Sequence, residues 1–217
     1  MGFKGNSIVL ISLLFCQISA NGQNYSAGDN YHLGMKAGPA LSLLLGDGFT
    51  TPSVLYGFTG GLYYKRQLKN GFHFQTEISS TIRGAKFDNS GQFEYDKVSL
   101  LFIDAAQLIL KDLNKGSHTH CAVFGIQPSL IAQSWVYNSY YQLSPAARDI
   151  QLNTLDVFAV VGYQLNRKII GIQSVFKLGL TNINRGLNMY DDGGNQLGPT
   201  NNNGKIFNLS WETCLSF

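Results

Sequence analysis

The sequence predicts an all-β chain, an eight-stranded antiparallel up-and-down transmembrane β-barrel, on three observations. Its final stretch sets Phe207, Leu209, Trp211, Thr213, Leu215 and Phe217 on one face against Asn208, Ser210, Glu212, Cys214 and Ser216 on the other. A two-residue period of this kind is a strand with one apolar and one polar side. Seven further strand-length stretches precede it, joined by links that alternate short and long. Short turns at one end and long loops at the other are what an up-and-down membrane barrel requires. Finally, 12% aromatics, 24 glycines and only 13% charged residues fit β-structure with one greasy face and many tight turns.

Residues 1–20 read as a secretory signal peptide. Lys4 supplies the positive start, Ile8 to Phe15 a short apolar core, and Ile18, Ser19 and Ala20 a small-residue cleavage site. Cys16 follows the bulky Phe15, which disfavours lipid attachment there. Residues 21–30 form a polar, Gly/Asn-rich flexible lead-in, and 31–217 the barrel domain.

The first strand is expected over Tyr31 to Leu45, with Leu33, Met35 and Ala37 opposing His32, Gly34, Lys36 and Gly38, and with a kink or lost pairing at Pro39. After a loop at 46–55, the second runs from Tyr56 to Leu68 and points Tyr56, Phe58, Leu62 and Tyr64 away from Gly57, Thr59, Gly61 and Lys65. Asn70-Gly71 supplies the positive φ of a tight hairpin. The third strand, Phe72 to Phe87, opposes Phe72, Phe74, Ile78 and Ile82 to an unbroken polar file, His73, Gln75, Glu77, Ser79, Thr81 and Arg83.

The fourth strand, Tyr95 to Leu110, is nearly all apolar, so its period alone leaves its phase open. Asp104 is placed inward, because a carboxylate facing lipid at mid-depth costs several kcal/mol. A fifth strand runs from Thr119 to Ser134 with an irregularity at Pro128, a sixth from Ile150 to Leu165, and a seventh from Ile169 to Ile183. The long loops fall at 46–55, 88–94, 135–149 and 184–204, and the short turns at 69–71, 112–117 and 166–168.

The charge balance excludes other classes. Without Lys4 the chain has fifteen basic and thirteen acidic residues, a net +2 with no basic stripe, so nucleic acid is not expected. Beyond Cys16 only Cys121 and Cys214 remain, too few for a disulfide-held secreted domain. They fall on non-neighbouring strands, which leaves a bridge across the lumen or two separate thiols.

Several stretches now carry a resemblance. Gly34-Met35-Lys36-Ala37-Gly38, the run Gly60 to Lys65, Leu155-Asp156-Val157 with Gly162-Tyr163, Gly179 to Ile183 and the aromatic last strand together resemble the PorT-like outer-membrane β-barrel family. The resemblance spans roughly 31–217; Asp104-Ala105-Ala106 stands where members often carry Glu-Ile-Pro. It implies an outer-membrane barrel, and one branch of that family is associated with protein secretion across the outer membrane. The last strand, ending on Phe217, resembles the assembly signal of such barrels, which implies insertion by the barrel-assembly machinery.

The candidate site residues are the inward charges Lys36, Lys65, Glu77, Arg83, Asp104, Asp156, Lys177 and Glu212. In a lumen with room for little beyond its own side chains, these are expected to pair as a plug; a proton or small-ion path is the sharper alternative. His73, Glu77 and Ser79 share a face, but residues two apart on a strand stand ~6.6 Å apart, too far for a nucleophile and its base. His118-Thr119-His120-Cys121 lacks a second ligand pair and reads as interfacial polar residues. Asp191-Asp192-Gly193-Gly194 lacks the spacing of a calcium loop. No cofactor is expected. The expected function is a non-enzymatic structural or interaction barrel in outer-membrane lipid, presenting loops 135–149 and 184–204 to secretion or envelope proteins. The alternatives are a small lipid-modifying enzyme and a soluble carrier of lipocalin type.

Overall fold

The computed structural model describes residues 31–46, 52–87, 97–114, 119–137, 150–152, 154–167, 170–190, 196–200 and 205–217. The signal-peptide and lead-in segments lie outside the described residues. Among the described residues there are eleven strands: β1 (Tyr31–Gly46), β2 (Pro52–Gln67), β3 (Phe72–Phe87), β4 (Lys97–Asp112), β5 (Thr119–Tyr137), β6 (Ile150–Leu152), β7 (Leu155–Arg167), β8 (Ile170–Gly179), β9 (Asn184–Tyr190), β10 (Gln196–Thr200) and β11 (Ile206–Ser216). Eight of them close an antiparallel barrel in the order β1-β2-β3-β4-β5-β7-β8-β11, as the sequence predicts. Closure leaves no strand edge facing hydrocarbon, where an unpaired peptide group would cost several kcal/mol.

Parity fixes which side chains enter the lumen. The β3–β4 ladder runs unshifted from Phe72↔Lys111 to Lys86↔Lys97, so one inward residue on each strand orients the whole pair. Each barrel strand sets large apolar residues on the outside, among them Met35, Leu62, Ile78, Ile103, Phe124, Val161, Phe176 and Trp211. A continuous apolar belt of this extent belongs in lipid, not water. That polarity is the reverse of what a soluble ligand carrier needs. The short β2–β3 turn, with Asn70 at φ 60° and Gly71 at φ 71°, marks one end of the barrel. The start of β1 and the end of β11 lie at that same end.

Several expectations are corrected. Strand β2 begins at Pro52, so the loop before it is shorter than 46–55. Pro39 meets its expectation: the pairing of β1 with β11 lapses at Gly38 and Pro39 and resumes in the same register, Ala37↔Leu215 on one side and Ala40↔Glu212 on the other. Pro128 keeps its partner in the unshifted β5–β7 ladder, but on the other side the pairing with β4 lapses at Gln127 and Pro128; a register shift of β5 lies further on, between Ile131 and Gln133 opposite Leu101/Phe102. The stretch 184–204 is not all loop. Strands β9 and β10 form a hairpin, and β9 also pairs with β6, making a three-stranded sheet at the long-loop end.

The lumen also departs from the polar interior that was expected. Leu44, Ala85, Val98, Leu100, Phe102, Ile183 and Ile206 pack together toward the long-loop end. Ala106, Leu108, Leu110, Cys121, Val123, Phe158, Val160 and Val175 form a second group along β4, β5, β7 and β8. A barrel of eight strands is filled by its own side chains, so close packing rather than hydration decides what its interior accepts.

Candidate functional site

Six of the eight expected lumen charges meet in two ion-pair groups. Glu77, on the inward file of β3, receives Lys36 Nζ from β1 at 2.5 Å on Oε2. Its other oxygen accepts Gln75 Nε2 at 2.6 Å and Gln173 Nε2 at 3.2 Å. The carboxylate is thereby satisfied on both oxygens while 2% exposed, the condition under which a buried charge is tolerated.

The second group is built on Arg83. Its Nη1 donates to Asp104 Oδ1 at 3.1 Å and its Nη2 to Asp104 Oδ2 at 2.6 Å, a two-pronged pairing that only a planar guanidinium can make. Nη2 also donates across the barrel to Glu212 Oε1 at 2.9 Å. The guanidinium carbon lies 5.0 Å from the Phe102 ring centroid and 4.8 Å from that of Phe158, so two aromatic rings cover what the carboxylates do not. Thr81 donates to Asp104 Oδ2 at 2.7 Å, and its hydroxyl is bonded to that of Thr59 at 2.8 Å. Lys177 Nζ completes the group 2.6 Å from Glu212 Oε2, an ion pair that lies off the line of a hydrogen bond.

The two remaining candidates stand apart. Lys65 faces inward at the turn end, within electrostatic range of Asp112 and Cys121 but outside both ion-pair groups. Asp156 is fully buried and accepts Thr181 Oγ1 at 2.5 Å and the Val157 N–H at 2.8 Å, both on Oδ1; Arg83 lies within electrostatic range, outside ion-pair distance. Phe217 lies at the seam between β1 and β11. Its main-chain N–H and oxygen bond to Met35 at 2.9 and 3.0 Å. Tyr63, from β2, crosses over Gly34 to donate to the Phe217 main-chain oxygen at 3.4 Å and meets His32 Nε2 at 3.0 Å. A Cβ on Gly34 would strike both the Tyr63 ring and that oxygen, so the seam needs glycine there.

Among the described residues, His73, Glu77 and Ser79 do not assemble as a nucleophile and its base. His73 Nε2 is bonded to Asp112 Oδ1 at 2.9 Å, and Glu77 is taken up by Lys36 and two amides, so neither is turned to Ser79. Cys121 donates its thiol to Asp112 at 3.2 Å; it and Cys214 are buried free thiols. His120 pairs with the Tyr163 hydroxyl on the outer face. Among the described residues no group of three His, Cys, Asp or Glu side chains is arranged to hold a metal. Sequence reasoning missed the parts played by Gln173, Thr81 and Phe102. The polar parity of their strands carries a signal for the first two, whereas Phe102 sits in the strand whose phase the period cannot fix.

No protein-family model matches the chain, and no curated protein sequence matches it. Among solved structures, the crystal structure of Neisserial surface protein A superposes with a TM-score of 0.50 at 12% identity, over 86% of this chain and 97% of that one. Ail, the attachment invasion locus protein of Yersinia pestis, gives a TM-score of 0.43 at 15% identity, over 85% of this chain and 97% of that one. At such identity the first likeness speaks for the fold alone, and it agrees with the barrel's own surface. A closed eight-stranded barrel, apolar outside and charge-paired within, is an outer-membrane β-barrel.

Proposed function

We propose that this barrel is a non-enzymatic structural and interaction protein whose working surface is its long-loop end. The observation that carries the reading is the filled lumen. Arg83, clamped by Asp104 and Glu212 and capped by Phe102 and Phe158, occupies the interior and is wholly buried. A lumen so occupied neither conducts solutes nor receives a substrate, which leaves the loops and the β6-β9-β10 sheet to meet partners. The finer reading follows the PorT-like resemblance: an accessory to protein secretion, contacting secretion or envelope proteins through 135–149 and 184–204. Insertion proceeds through the β11 strand and Phe217, recognised by the barrel-assembly machinery.

The test trims 138–149 and, separately, 191–204 to short turns, then compares cross-linked partners from intact cells. Trimmed barrels that still shift on boiling in a gel but lose their partners support the reading. Partner capture that survives both deletions, or altered lipid in cells overproducing the wild-type barrel, overturns it.

A further inference from the structure

Outside the lumen, charge divides unevenly between the two ends of the barrel. The turn-end segments 65–71, 111–118 and 166–168 carry seven lysines and arginines against one acid, Asp112. The long-loop segments 47–51, 86–97, 138–149 and 184–205 carry five against seven acids. Asp112 is turned inward, to His73 and Cys121, so among the described residues every carboxylate side chain faces the lumen. On β2 to β4 the basic residues bracket two aromatic rings. Arg66 stands directly across the ladder from Phe74, and Lys111 from Phe72. Residues so paired share a face, and both rings are exposed on the outside. Lys111 Nζ lies 4.0 Å from the Phe72 ring centroid and donates to the Asn70 main-chain oxygen at 2.6 Å, which holds it over the β2–β3 turn. Lys69 is exposed in that same turn. Ile109, opposite Phe74, continues the outer face into the apolar belt.

We propose that Arg66, Lys69 and Lys111 form a binding site for an anionic phospholipid of the phosphatidylglycerol class, its headgroup among the cations and its acyl chains along Phe72, Phe74 and Ile109. One strand separates β2 from β4, a gap of about 10 Å that long Arg and Lys side chains span from both sides. The cations stand at the rim of the apolar belt, the depth of lipid headgroups, with their apolar stems and the rings beneath them toward hydrocarbon. A free phosphate would meet the cations but leave the rings uncovered, whereas a lipid satisfies both. An acidic protein docked on the barrel's end would have to reach sideways into the lipid shell to meet them. The inference concerns the outer face at the turn end, so it stands or falls separately from the role proposed for the loops.

The experiment follows thermal unfolding of the full barrel by gel shift in phosphatidylcholine vesicles as phosphatidylglycerol replaces a rising share of the lipid at constant ionic strength. The unfolding temperature should climb and level off, as binding to the folded state alone demands. Each Lys or Arg beside an anionic headgroup layer is worth about fivefold in binding, so Arg66→Gln combined with Lys111→Gln should flatten most of the climb. Lys86→Gln combined with Lys97→Gln, a cross-strand pair at the long-loop end, should leave it intact. Sodium phosphate added to pure phosphatidylcholine vesicles should produce no climb, which separates the lipid from a free anion. Should the Arg66/Lys111 variant fail to fold, the wild-type barrel decides the matter through a phosphatidylglycerol carrying a photoreactive headgroup. Adducts within 64–74 or 109–113 support the site, and adducts confined to other segments overturn it. The proposal is equally overturned by no climb, by a climb that phosphate alone reproduces, by one that survives Arg66→Gln with Lys111→Gln, or by one lost just as fully in the long-loop pair.

Discussion

Replacing Arg83 by Met tests whether the lumen charges are held as a unit. Met keeps much of the buried stem but removes the fork that binds Asp104 twice and Glu212 once. Removing one member of a buried pair costs about 3–5 kcal/mol, because the partner is left charged and uncompensated. Two things moderate the loss: Asp104 keeps Thr81 at 2.7 Å, and Glu212 keeps Lys177 at 2.6 Å. The lost guanidinium contacts with Phe102 and Phe158 add back about 1 kcal/mol apiece. A net destabilisation of about 4 kcal/mol is expected, roughly a thousandfold in the folding equilibrium. The assay is urea unfolding in phosphatidylcholine vesicles, followed by Trp fluorescence, with the m-value used to check that the same surface is exposed. Adding Asp104→Asn should recover a large part of the loss, since a neutral amide can be buried without a cation and Glu212 keeps Lys177. A loss below about 1 kcal/mol, or strict additivity of the two changes, would refute the linked-group reasoning.

Other perturbations probe the exterior, the seam and the thiols. Ile78→Arg places a charge on the outward apolar belt and should cost about 2–4 kcal/mol in the same vesicle assay; a water-facing position would show almost none of that. Tyr63→Phe removes the hydroxyl that joins His32 to the Phe217 oxygen and should cost about 1 kcal/mol. Gly34→Val, which drives a side chain into the Tyr63 ring and the β1–β11 seam, should sharply reduce the yield of barrel that shifts on boiling. Cys121 and Cys214 should resist a bulky maleimide in the folded barrel and react after boiling; equal labelling before and after would contradict their burial.

The sequence made the wall of this barrel legible and its interior only half so. Parity along β3 is unambiguous because Phe72, Phe74, Ile78 and Ile82 alternate with His73, Gln75, Glu77 and Arg83, and a shift of one residue would turn every charge to lipid. The inward placement of Asp104 required an energetic argument, since Leu100, Leu101, Phe102 and Ile103 show no period. The same ambiguity concealed the apolar groups: a strand with large apolar residues on both faces gives no sign that half of them fill a lumen. Strand parity places Arg83 and Glu212 inside but cannot say that one reaches the other, because they lie 129 positions apart in sequence and meet only through closure. Strands β9 and β10 were hidden by the composition of 184–204, whose Asn and Gly residues read as loop although the backbone pairs.

Why place an arginine at the centre of a membrane barrel, when a wholly apolar interior of the same volume would avoid the desolvation of seven buried charges? Burial of this kind adds little net stability, and an apolar replacement is often equal or better. It does discriminate between registers. Sliding β11 by one residue past β8 would turn Glu212 outward, away from Lys177 and Arg83 and into lipid, and would set Trp211 inside. Apolar side chains inside and out would penalise the same slip only through packing. The ion pairs therefore make the closing step selective: β11 is accepted against β1 and β8 in the one alignment that returns Glu212 to its two cations. On this argument the lumen charges act in assembly rather than in transport. Variants that neutralise them in matched pairs should preserve stability better than they preserve the proportion of chains that close in a single register.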